Sequence, residues 1–543
     1  MRTLYIVAFI LLMASCQQNL EIPFEINKRI VVSQPCNFFG YSINRDRFFV
    51  PEFFVGSFNS IYSQKPTRLE IINDRSAYIQ SISCDCKKVA SLVEATNNNG
   101  YYLAYSDLRT GNNEFFQEEG GVRSPAFSPR ETLLAYISVS EITIYDYKRR
   151  KNLELGPTDI NFRALTWSLD GAELLLEDAD SNIWSYDIKL RKYCQLVQAK
   201  SFFYGNRNII SDDQNPDIFY YLDDTKTGFN DIYRFEKGKG SSLFYASASD
   251  KYLLNYPQSK DGLYFRSVEN GNVLINKLTP KGVTYISEKG VYYDYFKTKS
   301  GVVFSLYSNV GTPATFDVSA DGKTVYKGPN ATIDNTIIPI AERNGEGMTH
   351  FIYKPKEKIK AWAVYLHGGP WEQNQERYNV YINSLVDKGI AIIVLNYLGS
   401  TGIGNIYESR EDSNLLSNQI LNVHRDLRGM VIKYRISGKV SLIGVSYGAK
   451  IAHGYADSYS AEINSVVDLS GTEDSFKSYK AKRLFIYGDN DFMIADKDRL
   501  AMLSKASLLK STRIEVYRNE THYIAQRKNM VRTIDLISDF ITH

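Results

Sequence analysis

A serine stands between two glycines in Val440-Ser-Leu-Ile-Gly444-Val-Ser446-Tyr-Gly448, directly after an apolar run. Small residues at 444 and 448 permit a sharp strand-to-helix turn that lifts the Ser446 hydroxyl above a sheet and sets the first amides of a new helix beside it. The chemistry this pattern suits is acyl transfer to serine, which needs a base to take the proton and an acid to hold the base. On such a turn the partners follow in the order serine, acid, histidine. Of the six histidines, His350, His367 and His424 precede Ser446 and His453 falls in the helix just after it. His522 and the terminal His543 remain, and His543 sits where a chain frays. His522 lies in a polar turn after the run 513–517, which makes it the expected base. The acid is expected in Tyr487-Gly-Asp-Asn-Asp491, where Asp491 and Asp489 both stand just past an apolar run. A fourth element is Leu366-His-Gly-Gly-Pro370. Its glycines can leave backbone N–H groups open which, with the amide of Tyr447, can hold the oxyanion of a tetrahedral intermediate.

Such groups need rigid strand ends beneath them. The runs 361–366, 390–395, 440–443, 465–469, 484–487 and 514–517 are mostly apolar and lack regular polar alternation, as strands buried on both faces do, and helices are predicted at 447–457 and 524–541. Residues 336–543 therefore read as an α/β domain with a mostly parallel sheet, opened by a hairpin at 337–353, whose sites form at the carboxyl ends of the strands.

Residues 30–335 follow a different period. A polar turn and then an apolar run recur from Ser42, Ser83, Ser128 and Ser168, with weaker copies near Ser211, Ser259 and Thr298. Spacings of roughly 40–48 residues match one four-stranded propeller blade per repeat, and about seven blades fit. Forty tyrosines and 28 phenylalanines bring aromatics to 13%, and such side chains suit pleated, half-buried surfaces. Cys84 and Cys86 occupy positions of one repeated turn, so a structural role is expected for them. The 543 residues thus divide into an N-terminal all-β propeller and a C-terminal α/β-hydrolase domain.

Residues 1–15 join a basic start to a short apolar run ending in Ala14-Ser15, too short to stay in a bilayer as a helix. Residues 16–29 are then expected to be a linker. With 64 Lys+Arg against 61 Asp+Glu, the net charge of +3 gives no field that would gather nucleic acid. No zinc-peptidase, phosphate-loop or EF-hand spacing occurs, so no metal and no cofactor are expected.

The first sixteen residues resemble a bacterial lipoprotein signal, which implies lipidation of Cys16 and an exported chain tied to a membrane only by that anchor, periplasmic or at the cell surface. The larger resemblance is to the prolyl oligopeptidase family of serine peptidases, most closely its acylaminoacyl-peptidase-like and dipeptidyl-peptidase-like members. It rests on His367-Gly-Gly-Pro, Asn396-Tyr-Leu-Gly-Ser-Thr-Gly-Ile-Gly404, Asp426, Gly444-Val-Ser-Tyr-Gly448, Tyr487-Gly-Asp-Asn-Asp491 and Glu520-Thr-His522. The resemblance implies Ser446 as nucleophile, Asp491 rather than Asp489 as acid, His522 as base, and the amides of Tyr447 and Gly369 as oxyanion donors. It also implies a propeller that caps the site and admits short peptides. The sequence departs from the family pattern at Leu398 and Ala449, and only 45 residues separate Ser446 from Asp491, so a preference for proline does not carry over. Glu118-Glu119 sits in an inter-blade connection and is read as such, with binding of a substrate's amino terminus as the minor alternative. Two other functions use the same residues: a carboxylic-ester hydrolase with the same triad, and a non-catalytic propeller scaffold lipoprotein.

Overall fold

The computed structural model describes residues 77–543 except 84–86, 95–100, 108–109, 111, 117–120, 139–140, 154, 156–158, 200–207, 255–261, 298–300, 328–336, 411, 472–479, 492 and 525. Ahead of residue 77 it gives the strand backbones Glu25–Ile26, Val31–Ser33, Phe38–Asn44, Glu52–Ser57 and Thr67–Leu69. Cys16, Cys36, Cys84, Cys86, Glu118-Glu119 and the expected junction at 335–336 lie outside the described residues.

The N-terminal part is a row of antiparallel sheets. Five early strands form the first, and four-stranded sheets follow over 77–116, 122–152, 162–197 and 210–245. An eight-stranded sheet over 251–327 consists of two antiparallel halves joined by the parallel pair Val273 and Val291. Strand Glu25–Ile26 pairs with 43–44, so the first sheet begins inside the stretch expected to be a linker. Two residues are too short a run to show alternation, which is why that strand had no signature. Glu25–Ile26 also lies against Thr312–Ala320 of the last sheet, and the row closes on itself as a β-propeller.

The repeated turn has a common construction. The amides of Ser83, Ser128 and Ser168 donate to the carbonyls of Lys88, Leu133 and Glu173, closing turns of equal length. Each serine is buried, and the hydroxyls of Ser83 and Ser168 accept the amides of Lys88 and Glu173 at 3.0 Å. A buried hydroxyl that satisfies the turn's own backbone explains why serine recurs there. Between sheets the spaces are filled by rings: Tyr105 of one packs on Phe127 and Tyr147 of the next, and Tyr245 on Phe265.

The C-terminal domain holds one eight-stranded sheet. Its strands are β1 Ile340–Arg343, β2 Thr349–Tyr353, β3 Ala361–Leu366, β4 Ile390–Leu395, β5 Val440–Val445, β6 Ile463–Leu469, β7 Lys482–Gly488 and β8 Thr512–Tyr517. Their order is β1-β2-β4-β3-β5-β6-β7-β8, with β1, β2 and β4 successively antiparallel and the rest parallel. The helices are α1 Val380–Asp387, α2 Leu415–Lys433, α3 Tyr447–Ser458, α4 Asp496–Ser507 and α5 Arg527–Thr542. Side chains of α1 and α5 pack on one face and those of α2 and α3 on the other. Both faces of β3, β4 and β5 are therefore covered, which is the reason for the unbroken apolar runs of β3 and β4. Among the described residues no helix is long and apolar enough to cross a membrane.

Candidate active site

Ser446 follows β5 at φ 51° and ψ −118° and caps α3. A serine held there is strained by about 1–3 kcal/mol. Its amide donates to Leu469 O at 2.8 Å and its carbonyl accepts the Ala449 amide at 3.0 Å, which fixes the turn from both sides. The flanking glycines are required by packing. A Cβ on Gly444 would lie 2.4 Å from Ala449 Cα, and one on Gly448 would lie 2.3 Å from Leu366 O. Gly448 thus draws the start of α3 onto the end of β3. There the glycine turn meets Ser446, since a Cβ on Gly368 would sit 3.2 Å from Ser446 Cβ. Gly369 has φ 48°, and Tyr447 opens α3; theirs are the two amides expected to receive an oxyanion.

Asp491 and His522 meet across the ends of β7 and β8. His522 Nδ1 and Asp491 Oδ2 are 2.8 Å apart, and both side chains are buried. Asp491 Oδ1 accepts the amides of Met493 and Ile494, which turns the carboxylate toward the imidazole. A carboxylate can only accept here, so Nδ1 carries the hydrogen and Nε2 keeps its lone pair. His522 Nε2 is buried and has no hydrogen-bond partner among the described residues. The two loops are pressed together by Gly488, where a Cβ would come within 2.2 Å of Glu520 O. Asp489 faces the other way and accepts the Asn519 amide at 2.6 Å. The two aspartates of one turn therefore have separate roles, Asp489 tying the turn to the β8 loop and Asp491 holding the histidine.

The remaining histidines have other partners. His367, buried at the head of the glycine turn, donates from Nδ1 to Gly368 O and takes the Ser400 hydroxyl at Nε2, both at 2.8 Å. Tyr397 stacks on its ring and donates to its carbonyl. Burial pulls the His367 imidazole down to about 4, outweighing the carbonyls of Gly368 and Gly369 that favour protonation. His350 receives the Asn396 amide at Nδ1 and contacts Asp426 at Nε2, so Asp426 secures the β2–β4 edge. His453 pairs with Asp468 at 3.0 Å inside the domain, and the terminal His543 is exposed. Sequence reasoning missed Asp468 and Ser400. Ser400 lies inside the Asn396–Gly404 motif, but only its contact with His367 shows what it does. Among the described residues, no three His, Cys, Asp or Glu side chains are grouped to hold a metal ion.

No protein-family model matches the chain. A dipeptidyl aminopeptidase BIII of Pseudoxanthomonas mexicana is 24% identical over 288 residues, covering 50% of this chain and 37% of that protein, so the match spans little more than a third of the relative's length. Among solved structures, a prolyl endopeptidase aligns with TM-score 0.76 and 13% identity over 95% of this chain and 89% of the other. A puromycin-hydrolyzing peptidase of Mycobacterium tuberculosis gives TM-score 0.74 and 12% identity, with 96% and 94% covered. The acylaminoacyl peptidase of Pyrococcus horikoshii gives 0.68 and 13%, with 95% of each chain covered. The likenesses extend over both domains and establish the fold.

Proposed function

We propose that the chain is a serine peptidase of the prolyl oligopeptidase family that hydrolyses short peptides through an acyl-enzyme on Ser446. The observation that carries this reading is the buried Asp491–His522 pair, with Nε2 unpartnered, at the same sheet edge that presents Ser446 in a strained elbow. In the first step Ser446 Oγ bonds to the substrate carbonyl carbon while His522 Nε2 takes the hydroxyl proton. Asp491 stabilises the resulting imidazolium. The amides of Tyr447 and Gly369 receive the oxyanion. As the intermediate collapses, the C–N bond breaks and His522 gives its proton to the leaving amine. Water then repeats the sequence on the ester. No hydrogen bond joins His522 to Ser446 in the free chain, and such contacts tighten when substrate fills the site.

The eight-stranded sheet at 251–327 is read as two blades, which makes seven, and a ring of that size over the strand ends favours short peptides as substrates. The chain is further read as exported and lipidated on Cys16. Ser446→Ala is expected to abolish hydrolysis of short chromogenic peptides and labelling by a fluorophosphonate. Wild-type turnover in that variant would overturn the nucleophile assignment, and turnover of aryl esters alone would overturn the peptide assignment. For the anchor, incorporation of a tagged fatty acid should disappear in Cys16→Ala.

A further inference from the structure

Propeller carboxylates reach into the C-terminal domain: Asp224 accepts the Asn405 side-chain amide at 3.1 Å, and Asp250 lies deeper. Asp250 is 1% exposed, and its Oδ1 accepts the Asn230 amide at 3.0 Å within the propeller. Its Oδ2 accepts two amides of the other domain, Gly402 at 3.0 Å and Gly404 at 3.1 Å. The adjoining Lys251 is fully buried and neutralised by Asp231 at 2.8 Å, so the base of this contact is rigid. Gly402 and Gly404 have φ 107° and 90°, and that left-handed backbone is what points both amides at one oxygen.

The same short loop grips the glycine turn from its other side. Ser400 Oγ meets His367 Nε2 at 2.8 Å, and the Thr401 amide donates to Glu372 O at 3.0 Å. A Cβ on Gly399 would approach Pro370 O to 3.3 Å. Consecutive amides, those of Thr401 and Gly402, are thus anchored to Glu372, just past the glycine turn, and to the propeller respectively. His367 in turn sets Gly368, which touches Ser446.

We infer that Asp250 is a positioning residue for the glycine turn: it holds the 400–404 loop from the propeller, and the loop holds His367 and Glu372, which flank Gly368 and Gly369. The inference rests on reading that turn as the oxyanion site. The propeller then supplies part of the geometry of the reaction and does more than cover it. Displacements of an ångström at an oxyanion donor cost about 100-fold in rate, so loosening the loop should act on kcat more than on KM.

The test compares the wild-type protein with Asp250→Asn, Ser400→Ala and the double variant. Asp250→Asn replaces one acceptor oxygen by an N–H donor that opposes the amides it faces. The expected result is a fall of tenfold or more in kcat on a peptide anilide with KM within twofold, and a double variant no slower than the slower single one. Amide hydrogen exchange is read in parallel, and residues 366–373 should lose protection in Asp250→Asn although they lie in the other domain. Faster exchange confined to 400–405, or rate losses that multiply in the double variant, would overturn the inference. If the wild type neither cleaves peptides nor reacts with a fluorophosphonate, the Ser446 reading fails, while the exchange comparison still decides whether Asp250 positions the turn. Should Asp250→Asn fail to fold, Asp250→Glu keeps the charge, shifts the carboxylate by one methylene and is read in the same way.

Discussion

Two of the buried histidine–aspartate pairs in the C-terminal domain are nearly identical as pairs. His522 and Asp491 are 2.8 Å apart, His453 and Asp468 3.0 Å, and all four side chains are hidden from solvent. They differ in what surrounds them. Asp468 also accepts Tyr487 OH and the Gly471 amide, and His453 lies flat against Phe485, so that pair is enclosed. The other ends in a loop, with one ring nitrogen left over. A histidine–carboxylate contact therefore carries no functional meaning alone; the spare lone pair at a strand end does.

That contrast can be broken most sharply by exchanging the roles. His522→Ala is expected to lower kcat on peptide anilides by about 10⁴-fold or more, and Asp491→Asn by about 10⁴-fold through the wrong imidazole tautomer. Comparable activity in either variant would remove the distinction drawn between the pairs. His453→Ala should do the reverse. Stripping one partner from a buried pair costs about 3 kcal/mol, visible as a lower urea midpoint, while turnover per fluorophosphonate-titrated site stays within a few-fold of wild type.

A third comparison concerns His367. Its imidazole is pulled down to about 4 from an ordinary value near 6.5. Between these values the unfolded chain binds the proton and the folded one does not, so stability should fall as pH drops from about 6.5 toward 4 and be fully present above that window. In His367→Asn this part of the pH dependence should vanish from unfolding curves; an unchanged slope would show that another group sets it. The smallest effect is expected for Asp489→Ala, about 1 kcal/mol of stability for the lost bond to the Asn519 amide. Its kcat should remain close to wild type, against the collapse foreseen for Asp491→Asn.

How much of this could be read from the sequence depended on how local each cause was. The central strands β3 and β4 were legible because burial on both faces leaves unbroken apolar runs. The serine elbow was legible because its glycines are forced by atoms a few residues away, and the propeller turns because a buried serine serves its own turn. Asp489 and Asp491 could not be separated by residue type or position. The choice depends on how Gly488 packs against the β8 loop, and only the family pattern pointed to Asp491. Helix α5 starts at Arg527, later than its apolar period suggested, because Ile524 is taken by the core and Glu520 accepts the Gln526 amide ahead of the first turn. Asp250 was invisible, since a Ser-Asp-Lys stretch in a blade connection looks like any polar turn. Its partners lie about 150 residues further along the chain.

The closure of the propeller by its first strand has a consequence for how the chain is made. The backbone of Glu25–Ile26 lies beside that of Thr312–Ala320, a separation of nearly three hundred residues. During synthesis the early strands leave the ribosome long before the surface they complete exists, so the ring stays open until the last sheet has formed. The hydrolase domain follows directly after that sheet. Closure of the ring and folding of the C-terminal domain are thereby set close together in time, late in translation.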